Sequence, residues 1–179
     1  MVLQALEELR AYFVALGREL EVARCGFTLS AISCDEEEEP SQTDRLLAAR
    51  EAFVKYEQES WVARCDFELG LVALEVYPRR YVQARRYFKA ARLSYEHLEV
   101  ADGVANCDNQ SSYIALIAGH LTEAARRVNL ALTYYRAQGT EARIAECEAR
   151  IEHVKEEVAR MARFKKPRIQ NSALTSGQG

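Results

Sequence analysis

Four Ala-x-Cys tripeptides recur along the chain at a nearly constant interval. They are Ala23-Arg24-Cys25, Ala63-Arg64-Cys65, Ala105-Asn106-Cys107 and Ala145-Glu146-Cys147, and successive cysteines stand 40, 42 and 40 residues apart. Without any gap, the residue before each Ala is β-branched (Val22, Val62, Val104, Ile144), and the twelfth residue before each Cys is aromatic (Phe13, Phe53, Tyr95, Tyr135). The register runs on to Leu29, Leu69, Ser111 and Ile151 four residues past Cys, and to Ile32, Val72, Ile114 and Val154 seven past. Offsets of four and seven fall on one face of an α-helix. A period near forty residues means that each unit is one supersecondary motif, able to bury its apolar face only by stacking on its neighbours.

Here the unit reads as two helices. The 179 residues hold only 8 Gly and 3 Pro, too little turn punctuation for a sandwich or barrel, and the 49% of apolar residues suffice for a core. The periodicity predicts an all-α chain with helices near 2–16, 18–33, 43–58, 60–76, 79–97, 100–118, 120–137 and 140–163. Gly17, Gly119 and Gly139 mark breaks where a left-handed residue ends a helix, and Pro78 marks another. The break between 58 and 60 carries no Gly or Pro, and Ser60 is its only local signal. Residues 1–163 make a single domain; 164–179 lose helical periodicity and form a basic and polar tail, expected to order only on a partner.

The stretch Gly119-His-Leu-Thr-Glu-Ala124, followed by Val128 and Ala131, resembles the second helix of a tetratricopeptide repeat. Pro78-Arg-Arg-Tyr81-Val-Gln-Ala84, then Phe88 and Ala91, repeats the pattern, and Leu69-Gly70 is similar to the family's first-helix Leu-Gly. Small residues at these places let neighbouring helices approach closely. The resemblance covers about residues 18–158, in a variant with a period near forty. It departs from the family pattern at Ser111-Ser112 and in 43–58, which has no leading Gly. It implies a right-handed superhelix of stacked antiparallel helix pairs, with a concave groove that takes an extended peptide or a partner's helix.

Around the first helices of the pairs, the side away from the Ala/Cys/Leu positions displays Arg24, Phe27 and Ala31, then Arg64, Phe67 and Leu71, then Asn106, Asn109 and Tyr113, and finally Glu146, Arg150 and His153. Guanidinium and amide groups beside aromatic rings suit a carboxylate-bearing peptide, although the rings are equally suited to ordinary packing between repeats. A second patch gathers Arg79, Arg80, Arg85, Arg86, Lys89 and Arg92 on one helical face, with Arg126-Arg127 in the register of Arg85-Arg86 one repeat on. Such a convex basic patch attracts nucleic acid or an acidic segment, but no nucleic-acid motif accompanies it, and a solvated face is the simpler reading. The run Asp35-Glu36-Glu37-Glu38-Glu39-Pro40 reads as a solvated loop, with competition against an acidic ligand as its functional option.

Charge is uneven: residues 1–60 hold 6 basic and 13 acidic side chains, residues 61–179 hold 18 and 14, and from Arg160 onward there are five basic residues and no acid. The five cysteines are spaced for neither zinc nor a disulfide framework, which points to a reducing cytoplasm. His97, His120 and His153 are far apart, Cys34 is blunted by five neighbouring acids, and no phosphate loop or nucleophile elbow occurs. No apolar run is long enough for a bilayer, and Met1–Arg10 has no export signature. The expectation is therefore a cytoplasmic adaptor without enzymatic activity, metal or cofactor, binding another protein. The alternative is a sensor domain that binds a small molecule or signalling peptide and controls a partner transcription factor or enzyme. Val2, Leu3, Leu6, Leu9, Phe13 and Leu16 lie on one side of the first helix, placed to cover an end of the stack or to join a homodimer.

Overall fold

The structure, a computed structural model, describes residues 2–32, 41–75 and 81–165. Eight helices follow one another among these residues, with no strand: α1 (Val2–Ala15), α2 (Glu19–Ile32), α3 (Gln42–Lys55), α4 (Glu59–Glu75), α5 (Tyr81–His97), α6 (Ala101–Ile117), α7 (Leu121–Gln138) and α8 (Glu141–Lys165). Each falls within a few residues of the range its periodicity predicts. The acidic run, Cys34, Pro78 with Arg79 and Arg80, and the tail from 166 lie outside the described residues. Each helix packs on the next, and the broadest contacts are α2 with α3, α4 with α5 and α6 with α7. The Ala-x-Cys helix is therefore the first of each pair, with α1 leading and α8 closing the series.

The in-register aromatics explain how the turns between pairs are built. The carbonyls of Phe13, Phe53, Tyr95 and Tyr135 each accept a hydrogen bond from the N–H five residues on (Arg18, Gln58, Val100, Thr140), at 2.8 to 3.1 Å. This bond closes a helix only when the intervening residue is left-handed. Gly17 and Gly139 take that conformation at φ 66° and 67°, and Glu57 and Glu99 take it at 54° and 57°. The unmarked break at 58–60 is thus the same turn with glutamate forced into the glycine position. Because a side chain there strains the backbone, Glu99→Gly is expected to raise stability by about 1 kcal/mol, read as a shift of the urea midpoint. An unchanged midpoint would contradict this account of the turn.

The core follows the repeat. Cys65, Cys107 and Cys147 are fully buried, as are Phe53, Phe88 and Tyr135. Gly70 and Gly103 are demanded by the aromatics: a Cβ would lie 2.7 Å from the Phe88 ring and 2.4 Å from the Tyr95 ring. Two register positions lie outside the core. Ile32 ends α2 and Ala145 sits on the closing helix, and both are exposed. α1 buries no residue fully: Leu6 and Phe13 are half-buried, while Val2, Leu3, Leu9 and Leu16 of the expected covering face are exposed. The helix leans on α2 with a narrower stripe than its composition suggests.

Beside two of the core cysteines lies an ion-pair motif. Asp66 and Asp108, each next to its Cys, are 2% exposed. Arg50, sixteen residues before Asp66, meets both its carboxylate oxygens through Nε and a terminal nitrogen, at 2.6 and 3.2 Å. Arg92, sixteen before Asp108, donates from Nε at 3.0 Å, and Arg127, nineteen after, donates to the same oxygen at 2.8 Å. The Arg50 and Arg92 bridges tie the second helix of one pair to the first helix of the next, which makes them staples between repeats, while Arg127 ties α7 to α6 within its own pair.

Candidate functional site

Of the residues expected on the first-helix face, Arg24, Phe27 and Arg64 come together between α2 and α4, around Trp61. Trp61 is half-buried, stacked on Phe53 (ring centroids 5.1 Å apart, interplanar angle 23°) and edge-on to Phe27 at 5.4 Å. The Arg64 guanidinium lies 4.6 Å from the Trp61 ring and 5.1 Å from that of Phe27, and Arg24 lies 5.8 Å from Trp61. Both arginines are exposed, and neither makes an ion pair with a described residue. Contact with the ring faces holds each guanidinium in place, worth about 0.5 to 1 kcal/mol apiece. Glu68 stands one turn beyond Arg64; burial raises its pKa, opposed by the Arg64 charge.

Phe27 is buried, so it is the platform for Arg64 rather than a contact surface of its own. Trp61 escapes the sequence reading because its register position holds Glu21, Gly103 and Arg143 in the other repeats. Phe67 turns the other way, edge-on to Phe88 at 5.5 Å, and half-buried Leu71 packs on the same cluster.

The remaining face residues gather between α6 and α8. Asn109 is fully buried, donating to Glu146 at 2.9 Å and accepting from Arg150 at 2.7 Å. Arg150 also donates to the Asn109 carbonyl and, at 3.2 Å, to Ser112 Oγ, and its guanidinium lies 5.3 Å from the Tyr113 ring. Burial lowers the Arg150 pKa, with Glu146 opposing the shift. Asn109 and Arg150 therefore lock α8 onto α6, and Ser112, where the resemblance expects Gly, takes part in the lock. Asn106 accepts from the Tyr135 hydroxyl at 2.8 Å and donates to Asp102 at 3.0 Å. Tyr113 and His153 remain exposed.

In the basic patch, Arg85 and Lys89 line a groove of about 550 Å³ between α5 and α7, together with Arg92, Arg127, His120 and Glu123. Half of its charge is neutralised: Glu123 pairs with Arg126 and Arg127, whose hydrogen bonds pull its carboxyl down to about 2, while Asp108 takes Arg92 and Arg127. Arg86 is exposed. Burial pushes the Cys65 and Cys107 thiols up to about 12 and Cys147 up to about 11, so these groups act as small apolar fillers. Among the described residues no group of His, Cys, Asp and Glu is arranged to hold a metal, and no helix is long and apolar enough to cross a membrane. Comparison of the chain with protein-family models, with curated proteins and with solved structures found no match.

Proposed function

We propose that this chain is a protein-interaction module of the tetratricopeptide type, working as a cytoplasmic adaptor. In this reading the helix pairs wind into a right-handed superhelix, and the face of α2, α4, α6 and α8 takes an acidic peptide segment or helix of another protein. The observation that supports it is the pair of exposed guanidinium groups, Arg24 and Arg64, held on the Phe27–Trp61 rings without a described acid within ion-pair range. A cation already fixed in place loses little freedom when a carboxylate arrives, so affinity depends on a few anchors. Tyr113 and His153 extend the exposed line towards α8, where Asn109 and Arg150 act as structural support.

The test uses an array of immobilised twelve-residue peptides graded in Asp and Glu content, probed with wild type and with an Arg24→Ala/Arg64→Ala variant matched by circular dichroism. Wild type is expected to retain acidic peptides at least about tenfold more strongly than the double variant. An Arg85→Ala/Lys89→Ala variant should behave as wild type. Equal retention by wild type and the Arg24/Arg64 variant would move the interface off this face.

A further inference from the structure

The third repeat departs from the others at two places that together leave a space. Four residues past the cysteine, Leu29, Leu69 and Ile151 stand where this repeat has Ser111, and Tyr87 stands forty residues before Arg127. Leu69 is buried, and half-buried Tyr87 packs on the same apolar cluster, which runs through α2, α3 and α4. One repeat on, those two places hold a hydroxyl and a guanidinium, and the guanidinium is drawn to Asp108 and Glu123. What remains is the groove of about 550 Å³ between α5 and α7, with α6 as its floor.

The groove is apolar along its floor and cationic on one wall. Ile114 and Ala115 are buried at the floor, while Val82 and Leu93 on the α5 wall are 53% and 56% exposed. Between these two, one helical turn apart, stand Arg85 and Lys89. The lining's other two Lys/Arg cations are neutralised, Arg92 by Asp108 and Glu96, and Arg127 by Asp108 and Glu123. Among the described lining residues Glu123 is the only acid, and it is committed to Arg126 and Arg127. Arg85 and Lys89 make no hydrogen bond or ion pair with a described residue, and neither does the side chain of Ser111. Two uncompensated positive charges therefore stand beside an apolar surface.

We infer that this groove binds a small organic carboxylate with a hydrocarbon body, of the kind of a medium-chain fatty acid. The head lies between Arg85 and Lys89, with the Ser111 hydroxyl as a further donor, and the chain lies over Ile114, Ala115 and Val82. The volume is that of a site for one small molecule. The floor of Ile114, Ala115 and Ala118 offers no polar side chain to a sugar or a peptide backbone, which is why the body is hydrocarbon. The site belongs to α5, α6 and α7, apart from Arg24 and Arg64 on α2 and α4, and does not rest on the peptide-binding reading.

The test follows backbone amide shifts by NMR during titration with octanoate, octanol, acetate and inorganic phosphate. The proteins are wild type, Arg85→Gln/Lys89→Gln, Ser111→Leu and Arg24→Ala/Arg64→Ala. Octanoate should shift amides of α5, α6 and α7 and bind wild type at least about tenfold more tightly than octanol or acetate. Two buried methylenes, or one charge-assisted hydrogen bond, supply about that factor. Ser111→Leu restores the residue of the first two repeats, so it should keep the wild-type melting temperature while losing octanoate. Arg85→Gln/Lys89→Gln, at exposed positions, should reduce octanoate to the affinity of octanol, and Arg24→Ala/Arg64→Ala should bind as wild type does. The inference is overturned if acetate or inorganic phosphate matches octanoate, which would leave a bare anion site, or if octanol matches it, which would leave an apolar slot. Absence of octanoate binding to wild type overturns it too, as does unchanged affinity in Arg85→Gln/Lys89→Gln or in a folded Ser111→Leu. Shifts confined to α2 and α4 and lost in Arg24→Ala/Arg64→Ala would overturn this inference and leave the proposed peptide face standing.

Discussion

Replacing Phe53 by Ala is expected to lower the unfolding free energy by about 4 kcal/mol, the largest single loss among core positions that also reach the candidate site. The ring is fully buried among Leu46, Ala49, Cys65 and Leu69, and it carries Trp61 on its face. Truncation leaves a cavity beneath an aromatic stack that joins α3 to α4, and the neighbours, themselves aromatic or in helices, cannot collapse into it. Trp61 is the chain's only tryptophan, so its fluorescence reports the site directly. The variant should show a red-shifted emission before unfolding and a lowered urea midpoint. It should also bind acidic peptides more weakly, because the platform for Arg24 and Arg64 would move. A loss below about 1 kcal/mol would contradict the role given to this ring.

Asp108→Asn is expected to cost about 3 kcal/mol, more than any other exchange of a charged side chain for its amide in this chain. The carboxylate is 2% exposed and faces two guanidinium groups, one from α5 and one from α7. Without its charge, two cations about a quarter exposed are left to repel one another across a partly desolvated gap. Asp66→Asn should cost less, since it leaves a single arginine behind, with 36% of its side chain exposed. Denaturant titrations of both variants measure the order; a greater loss at Asp66 would show that the staple is not electrostatic in origin.

Much of the fold was legible because the repeat is written in residue types with one physical use each. A buried small Ala or Cys, and an aromatic whose carbonyl closes the turn, leave little freedom for the helix that carries them. The turn at Glu57 was obscure because its left-handed residue is not glycine, and only the register shared with Gly17 and Gly139 reveals it. The candidate face was half legible. Arg24 and Arg64 stand out by spacing, but Trp61 occupies a position with no periodic counterpart, so nothing in the sequence ties it to them. Asn109 and Arg150 read as surface residues until α8 is laid on α6, because a polar lock between helices has the same composition as a polar groove. The aspartate staples were missed for a different reason: their offsets of sixteen and nineteen cross from one helix to another and belong to no single helical face.

The most direct test of the proposed interaction face is a double-mutant cycle between Arg64→Ala and acid-to-amide exchange in the tightest acidic peptide from the array, measured by calorimetry. If the Arg64 guanidinium receives that carboxylate, the two changes should be coupled by about 1 kcal/mol or more, with either one alone removing most of the effect. Additive losses, within about 0.3 kcal/mol, would show that the carboxylate binds elsewhere and would contradict the account.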